Sequence, residues 1–196
     1  MRVALVHGIL DTGRKFRRLQ RHLEGLGHHC LAPSLKPSDG RHGLLPLAEQ
    51  LAATVDRTWG ADAPFALVGF SMGGLISRLY LQELGGHARV DRFFAIAAPM
   101  RGSLLAWTFW GDGARQMRPG SPLLQRLDAG AARLDGIRLY AYWTPFDAVI
   151  VPATSARWPL AESRRIPALC HPCMHWHPQL LADIARRLDE TPRAAA

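Results

Sequence analysis

A serine stands between a predicted strand and a predicted helix in the segment FALVGFSMGG, residues 65–74. The stretch from Gly69 to Gly73 fits the pattern G-x-S-x-G, which is weak evidence alone but indicates a nucleophile when it joins a strand to a helix. The tight turn forces the serine into a strained conformation and raises its hydroxyl above the sheet. We therefore predict that Ser71 is a nucleophile. The N–H of Met72, at the helix N-terminus, is predicted to stabilise a developing oxyanion.

A serine nucleophile needs a base that accepts its proton and an acid that orients the base. In a strand–turn–helix architecture of this kind, the acid and then the histidine follow the serine along the chain. Asp147 comes just after the late apolar run at residues 137–144 and is the predicted acid. Three other aspartates are weaker candidates. Asp112 and Asp135 each precede a glycine, as residues that form turns do, and Asp128 lies in a short helical stretch.

The predicted base lies in a stretch of eight residues with two cysteines and three histidines, CHPCMHWH at 170–177. This stretch joins the last predicted strand to the last predicted helix, so all three histidines are candidates. His171 leaves the strand directly and precedes Pro172, which favours an extended conformation. We therefore prefer His171 to His175, and both to His177, which abuts the helix.

The same stretch has a rival interpretation as a zinc or redox site, since C-x-x-C can bind metal. Structural zinc sites usually draw a second pair of ligands from elsewhere, and the remaining cysteine, Cys30, follows a different strand. Three cysteines cannot form a disulfide framework, which fits a reducing compartment. The sequence thus favours a catalytic histidine here, with no metal and no cofactor.

An oxyanion hole needs a second N–H donor besides that of Met72. His7, Gly8 and Ile9 follow the first predicted strand, where a turn can aim the Ile9 N–H at the same point. His7 precedes the serine along the chain and is therefore a poor base. We interpret it as a residue that shapes this loop.

Strands and helices alternate along the chain and must position these residues. Six apolar runs are predicted strands: 2–8, 28–33, 65–70, 90–99, 137–144 and 164–170. Helical patterns lie between them, and the last helix begins at Pro178. Near-continuous apolar runs are typical of strands buried on both faces of a parallel sheet. The sequence predicts one α/β domain, residues 1–190, with a mostly parallel sheet of about six strands and helices on both faces. A flexible tail is predicted at 191–196.

One long segment, 99–135, interrupts the alternation, and it contains the aromatic stretch LLAWTFW at 104–110. Long irregular segments in such folds tend to lie over the site. The stretch either packs as a short core helix or lines an apolar pocket beside Ser71. On the second interpretation, Trp107 and Trp110 are the predicted substrate-binding residues.

The composition is that of a soluble globular protein, with 48% hydrophobic and 20% charged residues in a chain of 196. No apolar run approaches the roughly 18 residues that span a bilayer. The N-terminus, MRVALVHGIL, has no small-residue cleavage site. We interpret it as a first strand and expect a cytoplasmic protein.

The formal net charge of +8 comes almost wholly from arginine, since Lys15 and Lys36 are the only lysines. A basic chain can bind nucleic acid or an anionic membrane surface. The arginines are scattered, however, and no basic run alternates with aromatic residues. We expect no nucleic-acid partner and interpret the charge as compositional bias, which leaves peripheral contact with an anionic membrane surface open.

Taken together, these motifs resemble the α/β-hydrolase superfamily, and within it the small serine esterases and lipases, including the bacterial minimal lipases and the inositol-deacylase-like group. VHGIL (6–10) is similar to their oxyanion loop and GFSMGG (69–74) to their nucleophile elbow. AAPMRGS (97–103) and RQMRPGSPLLQRL (115–127) are also similar to segments of that group. In minimal lipases the catalytic histidine precedes the first apolar residue of the last helix by about nine positions, which from Leu180 leads to His171.

The resemblance implies an α/β-hydrolase fold without a large cap, and a hydrolase of small-molecule or lipid carboxylic esters. Ser71 would attack the acyl carbon, His171 would take its proton and Asp147 would hold the imidazole. Acyltransferases and thioesterases use the same residues with a different acceptor or leaving group. A catalytically silent binding module of the same fold is the alternative from a different class.

Overall fold

The central feature of the fold is a single sheet of six parallel strands. It is seen in a computed structural model that describes residues 1–190, so that the predicted tail at 191–196 lies outside the described residues. The strands are β1 (Arg2–Val6), β2 (His29–Leu31), β3 (Phe65–Phe70), β4 (Val90–Ile96), β5 (Arg138–Trp143) and β6 (Glu162–Arg165). Their order is β2-β1-β3-β4-β5-β6, and each neighbouring pair is parallel. The predicted fold class is confirmed.

Helices cover both faces of this sheet. They are α1 (Arg17–Gly25), α2 (Leu45–Trp59), α3 (Met72–Glu83), α4 (Asp112–Gln116), α5 (Pro122–Ala129) and α6 (Pro178–Asp189). Successive strand residues point to opposite faces, so Val3 and Leu5 pack with α1 and α6, whereas Ala4 and Val6 pack with α2, α3 and α5. Two apolar cores result, one on each face of the sheet. This explains why the strands read as near-continuous apolar runs.

The last strand differs from its prediction, because β6 is at Glu162–Arg165 rather than 164–170, and all four of its residues are exposed. The N–H of Ile166 makes a further bond to the Trp143 carbonyl at 2.8 Å. The pairing of β6 with β5 ends at this residue. The apolar run that follows still packs into the core through Ile166 and Ala168. Its apolar pattern therefore predicted a strand.

The strand order places the site. β1 has β2 on one side and β3 on the other, so the chain reverses its direction of travel across the sheet between β1 and β3. In open parallel sheets, ligands bind at the carboxyl ends of the strands beside such a reversal. Val6 pairs with Gly69 in register. The loop after β1 and the turn after β3 therefore meet at this crevice.

The connection between β4 and β5 holds short helices in place of a cap domain within the described part of the chain. It contains α4, α5 and 3₁₀ helices at Leu104–Trp107 and Ala131–Leu134. Across residues 1–190, no helix combines the length and the apolar character needed to cross a membrane.

Candidate active site

Ser71 lies on a sharp turn between β3 and α3, with φ 55° and ψ −126°, the left-handed strain expected from its motif. The turn depends on glycines. A Cβ at Gly69 would lie 2.6 Å from the Gly73 carbonyl oxygen, and a Cβ at Gly73 would clash with the carbonyls of Val6 and His7. Strand and helix thus approach so closely that side chains are excluded at both positions. The consequence is a serine held rigidly at the start of α3.

The structure brings Asp147 and His171 together, although they are far apart in sequence. Asp147 Oδ2 lies 2.8 Å from His171 Nδ1, and both side chains are buried. Asp147 Oδ1 accepts the backbone N–H groups of Val149 and Ile150, each at 2.9 Å. One carboxylate oxygen is therefore tied to a turn and the other to the imidazole. A carboxylate at Nδ1 favours the tautomer with its proton there, which leaves Nε2 as a proton acceptor.

Phe70 connects this pair to the nucleophile. Its ring centroid lies 4.8 Å from that of His171, and it immediately precedes Ser71 in the chain. Within residues 1–190, the Ser71 hydroxyl makes no hydrogen bond to another residue, and its backbone N–H donates to the Ile96 carbonyl at 2.9 Å. Hydrogen bonds between nucleophile and base are often long before substrate binds. The Ser71–His171 hydrogen bond stays a prediction.

The segment that carries the histidines is helical rather than extended. A 3₁₀ helix covers His171–Trp176, and only Cys170 before it is extended, with φ −159° and ψ 160°. The expectation that Pro172 holds His171 in an extended conformation is therefore wrong. Proline is also favoured in the first turn of a helix, and that preference prevails here.

The other two histidines have different environments. His175 is buried, with its ring centroid 5.2 Å from that of Phe70, and burial lowers its pKa to about 4. It is thus a neutral part of an aromatic cluster at neutral pH. His177 lies at the start of α6, where its Nδ1 accepts the N–H of Gln179 at 3.3 Å. Its observed role is that of a helix cap.

The two cysteines of the same segment form a disulfide, Cys170–Cys173, which encloses His171 and Pro172. The sequence analysis considered a zinc or redox site at this C-x-x-C and preferred a catalytic histidine, so this local bridge was not predicted. A turn brings the two together, since the Cys173 N–H donates to the Cys170 carbonyl at 3.1 Å. Cys30 is a free thiol, and burial raises its pKa to about 12. In the described chain, no three His, Cys, Asp or Glu side chains group as metal ligands.

The loop after β1 is fixed by His7, as the sequence suggested. His7 Nε2 accepts the Leu35 N–H at 2.9 Å, so Nδ1 carries the proton and donates to the Gly8 carbonyl at 2.8 Å. Burial lowers the pKa of His7, which keeps it neutral. Because a trans peptide directs its N–H opposite to its C=O, the Ile9 N–H points away from His7. Ile9 lines the same cavity as Ser71.

Met72 is the first residue of α3, with Ser71 as the N-cap. The N–H groups of a first helical turn have no partner within the helix, and the helix dipole is positive there. Met72 thus offers a donor adjacent to the Ser71 hydroxyl. The joint role of Ile9 and Met72 as an oxyanion hole stays a prediction.

A cavity of about 60 Å³ opens beside Ser71. Apart from Ser71 and Ser103, its lining is apolar: Ile9, Pro99, Leu105, Ala106, Phe109, Met117, Val149 and Ile150. The aromatic stretch at 104–110 contributes Leu105, Ala106 and Phe109, so part of it does line the pocket. Trp107 and Trp110 do not line it and are 60% and 95% exposed. Trp107 instead lies under the Arg118 guanidinium, 4.3 Å from the ring centroid.

Comparison with known proteins identifies the family. A family model described as "alpha/beta hydrolase fold" matches residues 2–140. The chain belongs to the α/β-hydrolase fold family. The predicted resemblance is confirmed, and the match includes the loop after β1 and the turn at Ser71.

This α/β hydrolase is similar in sequence to a protein named as a thioesterase and similar in fold to proteins named as lipases. The human "Lysosomal thioesterase PPT2" is 31% identical over 116 residues, covering 55% of this chain and 38% of that protein. Aspergillus fumigatus lipase B has TM-score 0.80 at 16% identity, covering 97% of this chain and 53% of that one. The mature lipase BlEst2 of Bacillus licheniformis has TM-score 0.74 at 15% identity, with coverages of 95% and 90%. This α/β hydrolase thus spans well under half the length of its human relative.

Sequence reasoning missed two parts of the cavity in this α/β hydrolase. Val149 and Ile150 line it and also donate their N–H groups to Asp147. The signal was present, since an apolar run follows the predicted acid directly in FDAVIVP. Ser103 lies at the end of the segment AAPMRGS, and its contacts with residues 149–151 are visible only in three dimensions.

Proposed function

We propose that this α/β hydrolase cleaves carboxylic esters through an acyl-enzyme formed on Ser71. The observation that carries the proposal is the buried Asp147–His171 pair, 2.8 Å apart and packed against Phe70, beside a serine on a strained turn. A carboxylate bonded to Nδ1 and a turn that exposes a hydroxyl are the two parts that serine activation requires.

In this mechanism, Ser71 Oγ attacks the acyl carbon while His171 Nε2 takes its proton. Asp147 holds the imidazole in the required tautomer and stabilises the imidazolium that forms. The N–H groups of Ile9 and Met72 stabilise the oxyanion of the tetrahedral intermediate. His171 then protonates the departing alcohol, and water activated by the same imidazole releases the acid.

The size of the cavity supports a short acyl group. About 60 Å³ is well below the volume of typical ligand pockets, roughly 300–1,000 Å³. A longer chain has to leave the cavity past Phe109, which is partly exposed. We therefore expect acetate and butyrate esters to be cleaved with a higher kcat/KM than octanoate esters.

Variants of the aromatic stretch test this acyl-pocket proposal. Phe109→Ala opens the cavity and should raise kcat/KM for longer esters. Trp110→Ala is the matched control, because Trp110 does not line the cavity and its removal should leave the chain-length profile unchanged. Each methylene that becomes buried stabilises binding by about 0.8 kcal/mol, or roughly fourfold in KM. Retention by Phe109→Ala of the wild-type chain-length profile would contradict the proposal. A change specific to Trp107→Ala or Trp110→Ala would support the predicted role of the tryptophans.

Thioester cleavage is the second candidate function, because the human relative is named as a thioesterase. The same triad chemistry serves both bonds, and the leaving group alone differs. An oxygen ester and a thioester with the same acyl chain, assayed side by side, separate the candidates through the ratio of kcat/KM values.

A fluorophosphonate probe tests the shared mechanism directly, since it labels only an activated serine. Wild-type protein should be labelled, and Ser71→Ala should lose labelling and roughly 10⁶-fold of kcat while keeping its melting temperature. Ser121→Ala is the control, because Ser121 is buried in the same way and caps α5 far along the chain. Unlabelled but folded wild-type protein would favour the binding-module alternative.

Peripheral contact with an anionic lipid surface is a further part of the proposal. Five exposed apolar side chains lie on the segments that follow β1, β4, β5 and β6 along the chain: Leu10, Trp107, Trp110, Phe146 and Leu169. The net charge of +8 adds attraction to anionic lipids. The protein should therefore sediment with phosphatidylglycerol vesicles more than with phosphatidylcholine vesicles.

The double variant of Trp107 and Trp110 to alanine should weaken this sedimentation. Leu26→Ala is the matched control, because Leu26 is as exposed as Phe146 but precedes β2 at the opposite edge of the sheet. Equal sedimentation of all three proteins would exclude this face as the contact.

A further inference from the structure

Ser103 is a buried serine beside the active site that has no part in the triad. It follows β4, lines the same cavity as Ser71 and is 4% exposed. Its backbone N–H donates to the Met117 carbonyl at 2.9 Å. The side chain therefore lies in a fixed position between the acyl cavity and the chain that follows Asp147.

The Ser103 hydroxyl uses its whole hydrogen-bonding capacity within the protein. It donates to the Val149 carbonyl at 2.7 Å. It accepts the N–H of Val151 at 3.0 Å and the N–H of Leu105 at 3.3 Å. A hydroxyl has one donor and two acceptor positions, so none is left for substrate.

Two of these bonds hold the turn that also holds the acid. Asp147 Oδ1 accepts the N–H groups of Val149 and Ile150 on one side of the turn. Ser103 binds the Val149 carbonyl and the Val151 N–H on the other side. The Leu104 N–H adds a backbone bond to the Val151 carbonyl at 2.8 Å. The orientation of the Asp147 carboxylate thus depends on a turn that Ser103 fixes from behind.

The third bond ties the same hydroxyl to the cavity wall. By accepting the Leu105 N–H, Ser103 caps the 3₁₀ helix Leu104–Trp107, from which Leu105 and Ala106 line the cavity. One hydroxyl therefore joins the wall of the acyl site to the loop of the acid, across 46 residues of sequence.

We propose that Ser103 is a positioning residue, which fixes the Asp147 carboxylate against His171 and couples it to the acyl-cavity wall. The proposal rests on the proposed function. Without the hydroxyl, a partly buried carbonyl and two partly buried N–H groups lose their partner, so the turn moves to regain hydrogen bonds. Displacements of about 1 Å at a catalytic site can lower rates by about 100-fold.

The test compares Ser103→Ala with Ser121→Ala, a matched control. Ser121 is also buried, caps a helix by accepting the Leu124 N–H, and donates to a carbonyl, that of Gln116 at 2.6 Å. We expect Ser103→Ala to lower kcat for p-nitrophenyl acetate by 10- to 100-fold, within about the range that misplacement produces. Ser121→Ala should lower kcat less than about threefold at a similar loss of melting temperature.

A spectroscopic measurement separates positioning from general destabilisation. The proton shared by His171 Nδ1 and Asp147 gives a low-field proton NMR signal, which is assigned by its loss in Asp147→Ala. This signal should weaken or move in Ser103→Ala, stay unchanged in Ser121→Ala, and return in Ser103→Thr, which keeps the hydroxyl. If Ser103→Ala does not fold, Ser103→Cys, of similar volume with a weaker hydrogen-bonding group, takes its place.

Equal kcat values and unchanged low-field signals in Ser103→Ala and Ser121→Ala, with wild type active, would overturn the inference alone. Failure of the proposed function has a different signature. In that case, wild-type protein lacks both esterase activity and fluorophosphonate labelling, while the response of the low-field signal to Ser103→Ala still reports whether the turn positions Asp147.

Discussion

Replacing Asp147 with asparagine should disable the base without unfolding the site, because the surrounding donors dictate how the new amide is oriented. The N–H groups of Val149 and Ile150 both point at Oδ1, each at 2.9 Å. The asparagine carbonyl must occupy that position, since an NH₂ group there would face two donors. The NH₂ group then takes the place of Oδ2, 2.8 Å from His171 Nδ1.

Facing a donor, His171 Nδ1 has to become an acceptor, and the imidazole proton moves to Nε2. An imidazole protonated at Nε2 cannot take the Ser71 proton. A triad with this wrong tautomer loses about 10⁴-fold in kcat, or roughly 5 kcal/mol of transition-state stabilisation. The turn keeps both of its bonds in Asp147→Asn. Asp147→Ala, in contrast, leaves two backbone donors unpaired, at a cost of about 1–3 kcal/mol in unfolding free energy each if both stay buried.

The assay combines kcat on p-nitrophenyl acetate, chemical denaturation, and ¹⁵N chemical shifts of the His171 ring. Asp147→Asn should keep most of the wild-type unfolding free energy, show the altered tautomer, and lose activity as stated. Asp147→Ala should lose both activity and stability. Activity of Asp147→Asn within tenfold of wild type would refute the reasoning, as would a tautomer that does not change.

The remaining predictions concern the segment after β6. His171→Ala should lower kcat by several orders of magnitude, as Ser71→Ala does, whereas His177→Ala should cost only the cap of α6, about 1 kcal/mol of unfolding free energy; equal losses of kcat would contradict the assignment of the base. Burial lowers the pKa of His175 from 6.5 to about 4, so the folded state binds this proton less readily than the unfolded state. The resulting stability is present above pH 6.5 and is lost as the pH falls toward 4. The melting temperature of His175→Phe should therefore fall less than that of wild type between pH 6.5 and about 4. Parallel curves of melting temperature against pH would contradict this role of His175. In the unfolded protein without reductant, a thiol reagent should modify only Cys30, and after reduction it should modify all three cysteines. Modification of three thiols before reduction would contradict the disulfide.

Features of the fold and the site that are determined by neighbouring residues could be predicted from the sequence. The turn at Ser71 was predictable because its glycines and its position between strand and helix are set within ten residues. Asp147 was proposed from chain order and its place after an apolar run, and His171 also from its place in a short segment. Apart from the order of the three residues along the chain, these predictions need only neighbouring residues.

The features that escaped prediction depend on contacts between distant segments or on competing local preferences. The bonds from Ser103 to the turn at 149–151 join two loops that no periodicity connects. The end of β6 was misplaced because Ile166 and Ala168 pack into the core although they lie beyond the last residue of the strand. At His171 two rules for proline conflicted, and the sequence did not say which would prevail.

The close contact of β3, α3 and β1 at the nucleophile also determines which substitutions this chain can accept. A Cβ at Gly69 or Gly73 would meet backbone carbonyls, and one at Gly74 would meet the Ala98 side chain. Backbone atoms cannot rotate aside as a side chain can, so at the first two positions even alanine displaces the strand or the helix. In a library of all single substitutions, we expect no substitution of Gly69 or Gly73 to give folded protein. At Ser71, small residues should be accepted without loss of folded protein. Abundance and activity would thus vary independently over only five residues, and the shape of the turn would prove less tolerant of mutation than its nucleophile.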